Sequence, residues 1–535
     1  MASIIKSYDK RSGNTYFYES ESYWDKDKQQ PRSRRRLIGK LDIETGEMIP
    51  TDGRGKNRSK QAEEKPAKPG PIPTAVATRR YYGATYLLDE VAYLLGVRAN
   101  LKQCFPTQYK KILSVAYYLI LEDSSMMRFG HWNDTHRHPY GEDISSQRSS
   151  ELFSSISEEG KTRFLSLQAK LQEEDEYWGY DITSISSYSE SLKQVAFGNN
   201  KEHDRLPQIN LAMVFGEKSG LPFYYKKLPG NVPDVKAVKN LLSDFDTLGF
   251  TKVKMVMDRG FYSEANINAL MKEHIKFLIE VKTSLSFVRK ALDSVYEELD
   301  SFENYSPVYS LYSKTLRVEW QYTQARPYKG DIIEDTRRIY LHLFYNVDKA
   351  GEDKTRMDTK LKDHMKELQS GHRIPEHEAF YKKYFTVTQT PKRGIKVTVN
   401  DEAVRKAKRY YGYFALMSNE KMDAITALET YRNKDVIEKA FGNVKDRLNM
   451  RRLLVSSERC LSGKLFVAFV ALILLSYIKK QMQDKKLFED YTLQGLLDKL
   501  DVIECFEYPG EALQVGKILK KQEAIYEALG IRIPA

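Results

Sequence analysis

Four residues that could act together on a phosphodiester are spaced through one stretch of this chain: Tyr431, Lys434, Glu438 and Lys445. On a helix advancing about 100° per residue, Lys434, Glu438 and Lys445 fall near 300°, 340° and 320° from Tyr431, so all four share a stripe about 60° wide. Val436, Ile437, Ala440, Phe441, Val444 and Leu448 fill the opposite arc, as expected of a helix from Thr430 to Lys445 lying on a core. On the polar stripe, the carboxylate suits a divalent cation and the ammonium groups suit phosphate oxygens. The same pattern also fits a solvated helix face carrying ordinary charge pairs.

Two further carboxylates stand where apolar strands are expected. Asp181 interrupts the β-rich run from Glu176 to Tyr188, and a buried acid needs a reason to be there. Asp258 follows the apolar run Lys252 to Met257 and precedes Arg259-Gly260-Phe261, the strand-end position at which α/β sheets carry functional groups. Around them, Gln208 to Phe215 and Leu221 to Leu228 read as strands joined by a Glu-Lys-Ser-Gly turn, and Val235 to Leu248 reads as an amphipathic helix. Ser263 caps a helix running to His274, and Phe277 to Lys282 is the next strand. Three antiparallel strands, helix, strand, helix, strand is the order of a ribonuclease-H-like fold. In that order Asp181 and Asp258 lie on neighbouring strands at the sheet centre. Residues 284 to 410 then interrupt the pattern with strand-like runs at Val308 to Tyr322 and Arg338 to Tyr345 and a polar helix from Asp353 to Leu368. Tyr411 to Met417 resumes an apolar strand, which makes Glu438 the candidate third carboxylate.

The spacing Tyr431-x2-Lys434-x3-Glu438-x6-Lys445 resembles the Tyr-x2-Arg-x3-Glu-x6-Lys signature of bacterial insertion-sequence transposases, the DDE enzymes of the IS-four kind. Tyr-Asp-Ile-Thr at Asp181, Met-Asp-Arg-Gly-Phe at Asp258, and Gly-Tyr-Phe-Ala-Leu-Met-Ser-Asn ahead of the signature resemble further family blocks, over about residues 80 to 480. Lys434 stands where the family has Arg, keeping charge but losing the bidentate fork, and Arg432 is placed to compensate. The resemblance implies an α/β protein: a ribonuclease-H-like catalytic domain interrupted by a β-rich insertion. It also implies an enzyme that binds the inverted-repeat ends of an insertion sequence, cleaves them by metal-dependent hydrolysis and joins the freed 3′-hydroxyls to target DNA. Asp181, Asp258 and Glu438 would be catalytic residues holding two Mg²⁺ ions, with Mn²⁺ as a substitute, about 3.5 to 4 Å apart in such sites. Tyr431, Lys434, Lys445 and Arg259 would hold phosphates, and Trp320 would stack on a flipped base, although a tryptophan at such a position also suits a core. The expected partner is double-stranded DNA, the inverted-repeat ends and the target, with a homodimer assembled on it. A DNA nuclease of the same fold that does not join strands, and a DNA-binding protein whose triad has lapsed, are the alternatives; the intact triad argues against the second.

Composition agrees with a polyanion partner. The 535 residues carry a net charge of +12, and pI is near 9.1. The first 80 residues hold 18 Lys or Arg against 11 Asp or Glu, so a surplus of seven is front-loaded. Thr15 to Trp24 and Arg34 to Asp42 read as strands with a turn at Thr45-Gly46-Glu47, and Arg32, Arg34, Arg35 and Arg36 suit phosphate or groove contacts as well as a solvated basic edge. Three scattered cysteines fit the reducing cytosol, and the absence of an apolar leader fits a cytoplasmic, nucleoid-associated bacterial protein. Leu465 to Ile478 reads as a buried helix and not a membrane span. His131, His136 and His138 cluster without regular ligand spacing, which favours a polar loop over zinc. The expected organisation is a small basic β-rich domain over 1–52, a linker over 53–78 and a helical DNA-binding domain over 79–175. The catalytic domain then comprises 176–283 and 411–480, split by the insertion 284–410, and a helical region covers 481–535. Helix, glycine turn and helix between Tyr81 and Leu121 is compatible with a helix-turn-helix reader, as with any helical bundle.

Overall fold

The computed structural model describes residues 3–51, 77–122, 125–170, 176–189, 191–198, 206–250, 253–325, 330–390, 394–442, 444–445, 448, 450, 452–453, 455 and 457–535, with the side chains of 390, 436–438, 452 and 453 outside that description. Most of the expected linker falls outside the described residues. The chain divides into two compact units, Met1–Val76 and Ala77–Ala535.

The first unit is an antiparallel meander of β1 (Ser3–Asp9), β2 (Asn14–Asp25), β3 (Gln30–Leu41) and β4 (Met48–Pro50). Gly13 and Gly46 take positive φ (67° and 70°) at two of its turns, which is the conformation glycine adopts without strain. All four arginines of interest lie exposed on β3. The register sets Arg36 opposite Glu19 and Arg34 opposite Glu21, so part of the basic edge is neutralised across the ladder.

The second unit opens with β5 (Thr78–Tyr81) and the helices Gly83–Leu94, Val97–Cys104 and Tyr109–Glu122. Gly96 supplies the left-handed turn (φ 65°) between the first two. The helix Tyr109–Glu122 is buried from Ile112 to Ile120 and packs against Glu458–Asp484. That 27-residue helix is long and apolar enough to cross a membrane by composition alone, yet 83% of its apolar window is buried inside the protein. It is a core helix here, and at Gly463 an added Cβ would lie 2.0 Å from the Phe153 carbonyl oxygen, so only glycine fits that crossing.

The central sheet has ten strands among the described residues. They are β6 (Trp178–Ser187), β7 (Gln208–Gly216), β8 (Pro222–Pro229), β9 (Lys254–Met257), β10 (Lys276–Val281), β11 (Tyr305–Ser306), β12 (Leu311–Ala325) and β13 (Ile332–Tyr345), then, after the separate hairpin β14 (Phe385–Thr390) and β15 (Gly394–Val399), β16 (Tyr413–Ser418) and β17 (Arg452–Leu453). The order is β11-β12-β13-β16-β10-β9-β6-β7-β8, with β17 also pairing β6. Strands β6, β7 and β8 are antiparallel, while β9 runs parallel to β6 and β10 parallel to β9. This mixed sheet has the strand order read from the sequence for the catalytic core. The helices Asp234–Leu248 and Glu264–Lys272 make the two crossovers, the first closed by Gly249 (φ 72°) and the second capped by the Ser263 hydroxyl accepting from the Asn266 N–H.

Residues 284–410 contain helices as well as strands: Ser286–Val295, Val347–Gln369, Glu378–Tyr384 and Asp401–Lys408 stand beside β11 to β15. Here β13 pairs with β16, so these strands extend the central sheet, while the β14–β15 hairpin stands apart. At the C-terminus, β18 (Glu504–Glu507) pairs with both β5 and β19 (Gln514–Val515). The regions 79–175 and 481–535 therefore share one small sheet, reinforced by Arg137–Glu507 (2.7 Å), His136–Asp501 (3.0 Å) and the Tyr526 hydroxyl on the Gly83 carbonyl (2.8 Å). His138 bridges Ser114 and Asn133, so these two histidine rings serve the polar packing of that layer.

Candidate active site

The site is built on β6 and β9. Both faces of β6 are buried, which its run of Tyr, Ile, Trp and small residues permits. Trp178 packs against Phe223, Phe245 and Phe250 at ring distances of 4.4, 5.5 and 5.3 Å, fixing β6 to β8 and to the first crossover helix. Tyr180 meets Phe261 at 4.9 Å, so the residue before Asp181 is clamped to the turn after Asp258. Tyr180 is opposite Met257 in the last pair of the parallel ladder, so Asp181 and Asp258 each follow that pair by one residue, Asp258 just past the end of β9. Asp181 is 8% exposed and accepts the Ile182 N–H at 2.7 Å.

The lid over Asp258 comes from the helix Ala424–Asn433. Asp423 caps it, and Ala424, Ala427 and Leu428 bury against Val256, Leu278 and Leu416 of β9, β10 and β16. Its last turn carries Tyr431, whose hydroxyl is 2.6 Å from Asp258 Oδ1 and 3.0 Å from Glu280 Oε2. Burial and these two carboxylates push the Tyr431 phenol far above its usual range, so it stays a hydrogen-bond donor at any physiological pH. Lys434 Nζ reaches the same Asp258 oxygen at 2.9 Å from a side chain only 3% exposed, whereas Asp258 is 38% exposed. Arg259, 63% exposed, lies 3.8 Å from the other oxygen of Glu280.

The continuous helix expected from Thr430 to Lys445 is broken at Lys434. Its N–H turns back to Tyr431 O at 3.2 Å, a tighter i to i−3 step, before a new helix Asp435–Gly442 begins. Asn433 and Asp435 flank the break with short polar side chains that compete poorly for helix interiors, and Asn433 spends its amide on Glu217. The break leaves Tyr431 and Lys434 on one face. The second helix lies against β6 and β7 and buries Ala440 and Phe441, with Val444 and Leu448 buried beyond it. Glu438 has its backbone in this helix, and its side chain lies outside the described residues. Lys445 follows in a wider π-type turn and is half-buried.

Trp320 is placed in β12 at 7% exposure, with its indole N–H on Asn268 (2.8 Å) and its ring edge-on to Phe287 (5.7 Å), so core packing occupies it in this conformation. Arg32, Arg34, Arg35 and Arg36 belong to the other unit. Glu280 was not singled out from the sequence. Its signal was there: an acid inside Phe-Leu-Ile-Glu-Val, the same anomaly that marks Asp181.

The model of the family described as Transposase DDE domain matches residues 180–474, more than half of the chain, and the chain belongs to that family. The matched span takes in Asp181, Asp258 and Glu438. No curated protein matches the chain. Among solved structures, it is similar to the piggyBac transposase in a cryo-EM synaptic complex with hairpin DNA, at a TM-score of 0.35 and 11% identity, covering 78% of this chain and 77% of that one. A TM-score of that size is too low to establish a shared fold.

Proposed function

We propose that this chain is a cut-and-paste DNA transposase of the IS-four-like group, which cleaves the ends of its own element and joins the 3′-hydroxyls to target DNA. The observation that carries the reading is that Asp181 and Asp258 each follow directly on the paired residues Tyr180 and Met257 of adjacent parallel strands, with Tyr431 and Lys434 of the signature closing over Asp258. Asp181 and Asp258 offer hard carboxylate oxygens, and Asp258 stays 38% exposed with Tyr431 and Lys434 on one of its oxygens, so the donor set fits a divalent ion. Asp181, Asp258 and Glu438 would hold Mg²⁺, which when bound supplies Lewis-acid stabilisation of charge on the phosphoryl oxygens.

The remaining roles fall to the chain itself. Tyr431 and Lys434 fix the orientation of Asp258 through two donors on one oxygen. Arg259, mostly solvent-exposed beside Glu280, would meet a phosphate, and Lys445 would add to the basic side of the site. The basic β3 edge of the first unit is the proposed arm for non-specific contact with double-stranded DNA. The test is strand joining: purified protein, a duplex carrying the element's end with a free 3′-hydroxyl, and a supercoiled target plasmid. End-joined products support transposition; cleavage of the end without any joining, under conditions that sustain cleavage, would leave a nuclease and sink the proposal.

A further inference from the structure

We propose that the segment between β13 and β16 contains a second metal site, a zinc centre made by His364, Glu367 and His377. His364 and Glu367 sit at i,i+3 on the helix Val347–Gln369 and so share a face, and His377 closes the short turn Pro375–His377 that leads into the helix Glu378–Tyr384. One oxygen, Glu367 Oε2, is 2.9 Å from His364 Nδ1, 3.0 Å from His377 Nδ1 and 2.5 Å from the Tyr381 hydroxyl. The two imidazole rings are 4.3 Å apart. Ligand atoms of the three residues all lie within 4.8 Å of one another, the one such convergence of His, Cys, Asp and Glu among the described residues.

Two imidazoles and a carboxylate form a mixed nitrogen and oxygen donor set that suits Zn²⁺ and is a poor match for Mg²⁺. Ligands about 2.0–2.1 Å from a tetrahedral ion stand about 3.3 Å apart, so the two separations from Glu367 Oε2 to the imidazole nitrogens need to open by only a few tenths of an ångström. Side-chain exposures of 12%, 23% and 35% for His364, Glu367 and His377 leave an approach for the ion and for a fourth ligand, water or the Tyr381 phenol.

The surroundings give the ion a purpose. Met357, Leu361, Leu368, Tyr381, Tyr384, Phe385 and Val397 form a small hydrophobic cluster separate from the main core. A cluster of that size holds two helices and a hairpin with little apolar area, and a metal tying the first helix to the turn that starts the second is a known remedy in small folded segments. The centre is independent of the carboxylate site and of the reading drawn from it.

The experiment uses the full chain, stripped with chelator and dialysed against Zn²⁺ in excess Mg²⁺, which occupies oxygen-only sites. One zinc per chain is expected, and His364→Ala and His377→Ala should each weaken retention at least tenfold. No zinc on the wild-type protein, or equal zinc on a double His364→Ala/His377→Ala variant shown by circular dichroism to be folded, overturns the proposal and leaves a hydrogen-bonded network. If the variants do not fold, X-ray absorption at the zinc edge of the wild-type protein decides: two imidazole nitrogens in the first shell support the site, and fewer than two refute it.

Discussion

Replacing Lys434 by Met keeps the length of the side chain and removes only its charge. The ammonium lies 2.9 Å from Asp258 Oδ1, an attraction of about 6 kcal/mol at an effective dielectric near 20. Burying that ammonium offsets much of the gain, and Asp258 is exposed enough to take up water once its partner is gone. The net loss should be about 2 kcal/mol in the absence of divalent metal, lowering Tm by a few degrees. The same ammonium competes with a divalent cation for Asp258, so added Mg²⁺ should raise Tm more in Lys434→Met than in the wild type. Scanning calorimetry of both proteins with and without Mg²⁺ measures this. Equal Tm values without metal, together with equal Mg²⁺ shifts, would refute the claim that Lys434 is the counter-ion of Asp258 and return it to a purely phosphate-binding role.

Tyr431→Phe should remove a charge-assisted hydrogen bond worth about 1.5–3 kcal/mol to the carboxylate pair and slow cleavage more than it weakens DNA binding, read by single-turnover kinetics beside a binding titration. His138 and His342 are held neutral by burial, each with a pKa lowered from 6.5 to about 4. Because the folded values lie below the unfolded one, the protein should keep full stability above pH 6.5 and lose up to about 3 kcal/mol per histidine as pH falls towards 4. A chemical-denaturation series from pH 7 to 4 tests the slope, and His342→Asn should flatten part of it. Deleting residues 1–75 removes one compact unit and should leave the Ala77–Ala535 fold and its cleavage chemistry intact, while DNA affinity falls and its dependence on salt becomes shallower. Unchanged affinity and salt slope would show that the arginines of β3 are not a DNA arm.

Local signals carried far in this chain. Asp181 and Asp258 were marked by acids set in apolar runs, and the order of strands and helices around them was enough to make them neighbours. Glu280 carries the same mark but lies one strand further on, and nothing local says that the Tyr431 hydroxyl would reach it. Helical periodicity placed Tyr431 and Lys434 on one face but could not register the break at Lys434, where side-chain bonds to distant Asp258 and Glu217 compete with the backbone pattern. The pairing of Tyr81 with Glu504 joins segments more than four hundred residues apart, and no spacing encodes that register. The helix Tyr109–Glu122 is buried from Ile112 to Ile120 because the apolar helix Glu458–Asp484 lies against it, a contact between segments more than three hundred residues apart.

The most direct test is a cleavage assay on an end duplex with Asp181→Ala and Asp258→Ala, each checked for folding and for DNA affinity. Both variants should bind the duplex as the wild type does and lose Mg²⁺-dependent cleavage, since on the proposed reading both carboxylates would hold metal and not phosphate. Cleavage at the wild-type rate by either variant would remove that residue from the site and contradict the central reading.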